Sequence, residues 1–185
     1  MSIAHQNIHF LEQGLALLGA LDDRRFTAVV QRGQGAAGAH LRHVIDYYRC
    51  FLRGLDDGRL DYDARSRDRD VETERTAAAA AIGSVVERLG ALDPAVFGRE
   101  LEVKVDAAAW NDHELRTRST VGRELQFLLS HTVHHYALIA MILRLQDFDP
   151  GAEFGVAPST LEHRESLEGS DASQRPELVT GASAS

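Results

Sequence analysis

The sequence predicts an all-α fold: a four-helix bundle with a small β-hairpin between the third and fourth helices. Three observations predict it. Long stretches repeat apolar residues at helical spacing. Gly- and Pro-marked breaks separate them. Between the last two, Leu101, Val103 and Val105 alternate with Glu102, Lys104 and Asp106, the period of a half-buried strand. The 185 residues, 44% of them apolar, suit one domain with one core. Helices of about 20 residues, near 30 Å long, pack most simply as a bundle.

The first helix is expected from about Ile3 to Gln31, with Ile8, Leu11, Leu15, Leu18, Phe26, Val29 and Val30 in its repeat and no break at Asp22 and Asp23. Gly33, Gly35 and Gly38 mark the turn into a second helix, about Ala37 to Leu55, with Leu41, Val44, Ile45, Tyr48 and Leu52 on one stripe. Gly54, Asp57 and Gly58 end it. Arg59 to Arg69 is dense in charge and reads as a loop. The third helix runs from about Val71 to Leu92 and is closed by Pro94. The hairpin pairs the strand at Leu101–Val105 with one near Glu114 to Arg118. Ser119 or Thr120 caps the fourth and most apolar helix, which runs to about Leu145. The domain is expected over residues 1–160. Residues 161–185, rich in Ser, Gly, Ala and Glu, are expected to be a disordered tail.

Composition removes several function classes. The net charge of −8 offers no basic stripe for nucleic acid. No apolar run approaches the 18 or so residues of a membrane span, and Met1 to Phe10 lacks the pattern of a signal peptide. The expected location is the cytoplasm. Cys50 is the single cysteine, so the chain has neither a disulfide framework nor a thiolate zinc knuckle. Against it stand nine histidines.

Helical geometry sorts them. On the fourth helix His135 lies within roughly 50° of the apolar stripe and His131 roughly 90° from it, whereas His134 lies roughly 150° away, toward solvent or a partner subunit. His131 and His135 are spaced i, i+4, so two imidazoles share one face and can bind one metal ion. Spacing alone fits a surface pair equally well. The zinc-protease pattern H-E-x-x-H is absent, because Thr132 follows His131. On the second helix His40 lies roughly 80° from the stripe and His43 roughly 140°, which favours His40 as the inward residue. Three imidazoles from two facing helices would leave coordination positions open, as catalytic centres do. His5, His9, His113 and His163 fall outside this group.

His40-Leu41-Arg42-His43 on the second helix and SHTVHHYALIAMIL on the fourth resemble the DinB-like (YfiT-type) metal-binding four-helix bundles, from the first helix to about Pro158. The resemblance implies a divalent transition metal (zinc, nickel or iron) on His40, His131 and His135, with His43 as the alternative to His40. It also implies a metal-dependent enzyme, a thiol-dependent S-transferase or a hydrolase, with a low-molecular-weight thiol as co-substrate of the transferase type. A homodimer is the expected assembly. The alternative function is a non-catalytic, stress-related binding or structural dimer with a vestigial metal site. No catalytic residue is assigned. The absence of an obvious acidic base beside the histidines favours thiol activation or no catalysis.

The loop DYDARSRDRDVETE supplies the candidate contacts to a small-molecule substrate. Tyr62, Arg65 and Arg67 are polar groups the fold does not need, and an arginine pair suits a carboxylate or phosphate. Trp110 on the hairpin is expected to line the same mouth. Each fits a solvated loop equally well. Tyr47, Tyr48, Tyr136 and Cys50 are assigned to packing, and Arg123 and Glu124 to capping and surface.

Overall fold

The computed structural model describes residues 2–33, 35–105, 115–157, 159–161, 163 and 166. Trp110, His113, Glu114 and nearly all of the expected tail lie outside the described residues.

Helix α1 (Ile3–Ala20) starts at Ser2, whose hydroxyl accepts the His5 N–H. The expected single N-terminal helix is in fact two. Asp22 adopts extended backbone and its carboxylate accepts the Arg25 N–H, which ends one helix and caps a short second one, α2 (Asp23–Thr27). Helix α3 (Ala37–Asp57) ends at Gly58, which takes the left-handed conformation (φ 68°) that glycine adopts without steric cost.

The next stretch departs most from expectation. Arg59–Leu60 forms a short strand, β1, before the loop over 61–68. The third long helix is also divided, into α4 (Arg69–Thr73) and α5 (Arg75–Gly90), because Glu74 has extended backbone (φ −119°, ψ 114°). Pro94 opens a 3-10 turn (Pro94–Gly98), with Asp93 as its cap. Strands β2 (Glu100–Lys104) and β3 (Arg116–Thr120) form the expected antiparallel hairpin, in which Leu101 faces Ser119 and Val103 faces Thr117. β1 joins β2 in parallel, with Leu60 opposite Val103, so the sheet has three strands in the order β1-β2-β3. Two residues are too few for alternation to reveal a strand. Helix α6 (Val121–Arg144) follows, capped by Thr120 as expected.

The bundle is made of α1, α3, α5 and α6. Phe10, Leu11, Ile45, Phe51, Ile82, Leu89, Leu128 and Tyr136 are among its buried side chains. A polar node ties three helices inside this core. Tyr48 donates its hydroxyl hydrogen to Asn7 Oδ1 (2.7 Å) and lies 3.1 Å from Thr132 Oγ1, while Asn7 Nδ2 donates to the Leu125 carbonyl (3.1 Å). All three residues are fully buried. Tyr48 meets Thr132 and His40 meets His135, so α3 and α6 run antiparallel. No helix among the described residues is long and apolar enough to cross a membrane.

β1 is held close to α3 by Gly54, where an added Cβ would strike the Arg59 carbonyl and a Leu60 methyl. Backbone cannot yield as a flexible side chain does. Gly54→Ala is therefore expected to lower stability by about 1–3 kcal/mol, read as a reduced urea midpoint with an unchanged slope.

Candidate metal centre

The face of α3 that carries His43 and Tyr47 is not part of the apolar stripe. It is enclosed because the loop over 61–68 folds back along the helix. Arg53 donates to the Ala64 carbonyl (2.9 Å), Ser66 donates to Asp46 (3.0 Å), and Arg65 reaches His43. Asp46 is 1% exposed, and Arg42 pairs with it and with Glu72. α6 forms the opposite wall through Phe127, His131 and His135.

Three imidazoles converge between these walls. His43, His131 and His135 each offer a ring nitrogen within 4.8 Å of the others, with ring centroids 4.5–5.0 Å apart. His131 Nε2 is out of contact with water and has no hydrogen-bond partner. Three convergent imidazoles, one of which carries a buried, unsatisfied nitrogen, make a donor set suited to a metal ion. His40, the expected third member, stands one turn earlier on α3. Its Nδ1 lies 3.0 Å from Nδ1 of His135, at the edge of the group. The wheel favoured His40 because it measures distance from the core stripe, and the convergent face is a polar flank buried by the loop. His134 is exposed, as expected.

Residues 11–139 match the family model of the DinB superfamily. The chain belongs to that superfamily. A protein of Rhizopus delemar described as "FK506-binding protein 5" is 32% identical to it over 104 residues. The alignment covers 56% of this chain and 27% of that protein, so the chain corresponds to about a quarter of the relative's length. No solved structure matches the chain.

In this DinB-superfamily chain an aromatic stack braces the imidazoles. Tyr47, expected in the core, stacks on His131 at 4.2 Å, and Tyr62 stacks on Tyr47 at 5.0 Å. Phe127 packs against Tyr62 and His131. The Tyr62 hydroxyl donates to Glu124 (2.7 Å), which also accepts from Ser119 (2.6 Å). Glu124 is thus a buried carboxylate at the foot of the stack and not a surface residue. Its partners come from separate segments, so spacing could not reveal it. The four substrate candidates separate accordingly. Arg65 touches the cluster, Tyr62 braces it, Arg67 is exposed, and Trp110 lies outside the described residues. Cys50 is buried, and burial pushes its thiol up, which suits packing better than nucleophilic chemistry.

Desolvation dominates the electrostatics. Burial, then Arg65 and Arg42, hold His43 down at about 4. Burial, then His43, does the same for His131 at about 4, and burial, then His131, takes His135 to about 3. The cluster therefore stays neutral at physiological pH, the state in which imidazole ligates metals.

Two outcomes follow. The unfolded chain protonates these histidines near pH 6.5, whereas the native state resists. The metal-free protein should keep full stability above that pH and lose it as the pH falls toward 4. Urea midpoints in the presence of EDTA will show this, and His135→Ala should flatten the profile. Tyr62→Phe leaves Glu124 without its phenol donor and should cost about 1–3 kcal/mol, measured in the same unfolding assay.

Proposed function

We propose that the chain is a metal-dependent enzyme whose divalent metal is held by His43, His131 and His135. The observation that carries this reading is the convergence of three neutral imidazoles from two helices, one of them with an unsatisfied buried nitrogen. An all-nitrogen donor set suits zinc, nickel or iron. Three protein ligands leave room for a substrate. When bound, the metal supplies Lewis-acid polarisation.

The chain's own residues do the rest. The stack of Tyr62, Tyr47 and Phe127 fixes the orientation of His131 and keeps water from that side. Beside His40, Leu138, Met141 and Ile142 line a cavity of about 310 Å³, which gives room for an apolar part of a small molecule. Among the described residues no carboxylate joins the imidazoles, and the nearby Asp46 and Glu124 are already hydrogen-bonded. A hydrolase would want such a base. Its absence favours transfer of a low-molecular-weight thiol, the transferase chemistry that the family resemblance implies.

A second reading, a non-catalytic dimer with a vestigial metal site, draws on exposed Val29 (61%), Met141 (60%) and Leu145 (65%). Apolar side chains this open suit a partner surface. Met141→Lys should then shift the mass measured by light scattering from dimer to monomer.

Elemental analysis of untagged protein tests the metal reading directly. One transition-metal ion per chain is expected. His43→Ala, His131→Ala and His135→Ala should each weaken binding by well over about a hundredfold, while His40→Ala, which removes only a neighbour of His135, should cost about tenfold. Metal-free protein that cannot be reloaded would sink the reading.

A further inference from the structure

Arg65 is the charged group in contact with the imidazole cluster, and its environment is unusual for an arginine. Its neighbours on the same wall are neutralised: Arg42 by Asp46 and Glu72, and Arg49 by Asp68. Arg53 is turned onto the Ala64 carbonyl. Arg65 forms no ion pair among the described residues, and its Nε is out of water contact with no acceptor. The guanidinium lies over the Tyr47 ring, 5.3 Å from its centroid, and Nη1 stands 3.2 Å from His43 Nδ1.

That last contact has a fixed sense. A guanidinium has only donors and keeps its proton, so Arg65 donates and His43 Nδ1 accepts. The lone pair on Nδ1 is then occupied, and the proton of the neutral ring sits on Nε2. An imidazole in that state has no lone pair left for a metal ion. Arg65 and the metal therefore compete for His43. Once a divalent ion sits among three neutral imidazoles, a cation beside them is repelled unless an anion intervenes. A single unpaired guanidinium matches one planar carboxylate, which it binds through two parallel hydrogen bonds. Among the described residues no second arginine touches the imidazoles to add the charge that a phosphate dianion would call for: Arg53 is turned onto the Ala64 carbonyl and Arg67 is exposed.

We propose that Arg65 is the carboxylate receptor of this site, held on His43 until a carboxylate-bearing small molecule takes it, so that this ligand and the metal bind cooperatively. The inference rests on the metal reading given above. It assigns the substrate or co-substrate a carboxylate, and it gives Arg65 a role in specificity that a solvated loop charge would not have. Linkage requires the coupling to be mutual: the carboxylate tightens the metal, and the metal tightens the carboxylate.

The test is zinc affinity of the full chain, measured by competition with a chromophoric chelator, with acetate or with chloride at equal ionic strength. Three proteins are compared: the parent, Arg65→Met, which keeps the aliphatic stem without charge or donors, and Arg65→Lys, which keeps the charge without the planar fork. Circular dichroism checks that each is folded. Acetate should tighten zinc binding to the parent at least about threefold. Without acetate, Arg65→Met should bind zinc about tenfold tighter than the parent, because a charge-assisted competitor is gone. Acetate should then add nothing, and Arg65→Lys should retain part of its effect. Equal or weaker zinc binding by Arg65→Met, or an undiminished acetate effect in it, overturns the proposal and leaves the metal reading standing. No zinc binding by any of the three overturns both.

Discussion

Everything about the imidazole cluster depends on the register between α3 and α6, and that register is set by a buried polar contact. Tyr48, Thr132 and Asn7 meet fully buried in a core lined mostly by apolar side chains. Sliding one helix by a turn moves it 5.4 Å and strands the Tyr48 hydroxyl and Asn7 Oδ1 without water, while Thr132 keeps its bond to the Leu128 carbonyl. The cost of burying those two atoms unsatisfied favours a single alignment. Tyr47 and His131, each next in sequence to a member of this node, then stack at 4.2 Å. A shift of one turn exceeds the 4.8 Å within which the three ring nitrogens gather.

The node and the cluster divide the work between two faces of the same helices. Tyr48 points to the core and Tyr47 to the flank; Thr132 points to the core and His131 to the flank. The core face supplies rigidity. The flank is enclosed by a loop whose contacts are hydrogen bonds, two ion pairs and stacked rings. Burial there is partial, and it is enough to keep the histidines neutral. This placement on rigid helices, with the variable contacts on a loop, is how folds commonly separate scaffold from specificity.

Much of this was legible in the sequence. The i, i+4 pair on the last helix, the Thr120 cap, the hairpin and the bundle all follow from short-range patterns that the structure reproduces. What escaped was non-local. The apolar wheel ranked His40 above His43 because it locates the core, and nothing in α3 itself says that a loop some 20 residues on will bury its other flank. Glu124 looked like a surface residue for the same reason, since Tyr62 and Ser119 reach it from other segments. The breaks at Asp22 and Glu74 are local but compete with continuous apolar repeats. In each case a change of backbone conformation at one residue prevailed over the periodicity around it.

The loop over 61–68 is tethered at both ends: Asp61 to Lys104 of the sheet, and Asp68 to Arg49 of α3. Between these anchors Tyr62 is fixed by Glu124 and the ring stack, whereas Arg65 sits on a stretch without regular structure and touches only the flank. Descendants of this chain could exchange Arg65 while the bundle, the Tyr62 brace and the three imidazoles stay untouched. The fold thus separates what must be inherited intact from what is open to variation, and a change of ligand preference need not begin with a loss of stability.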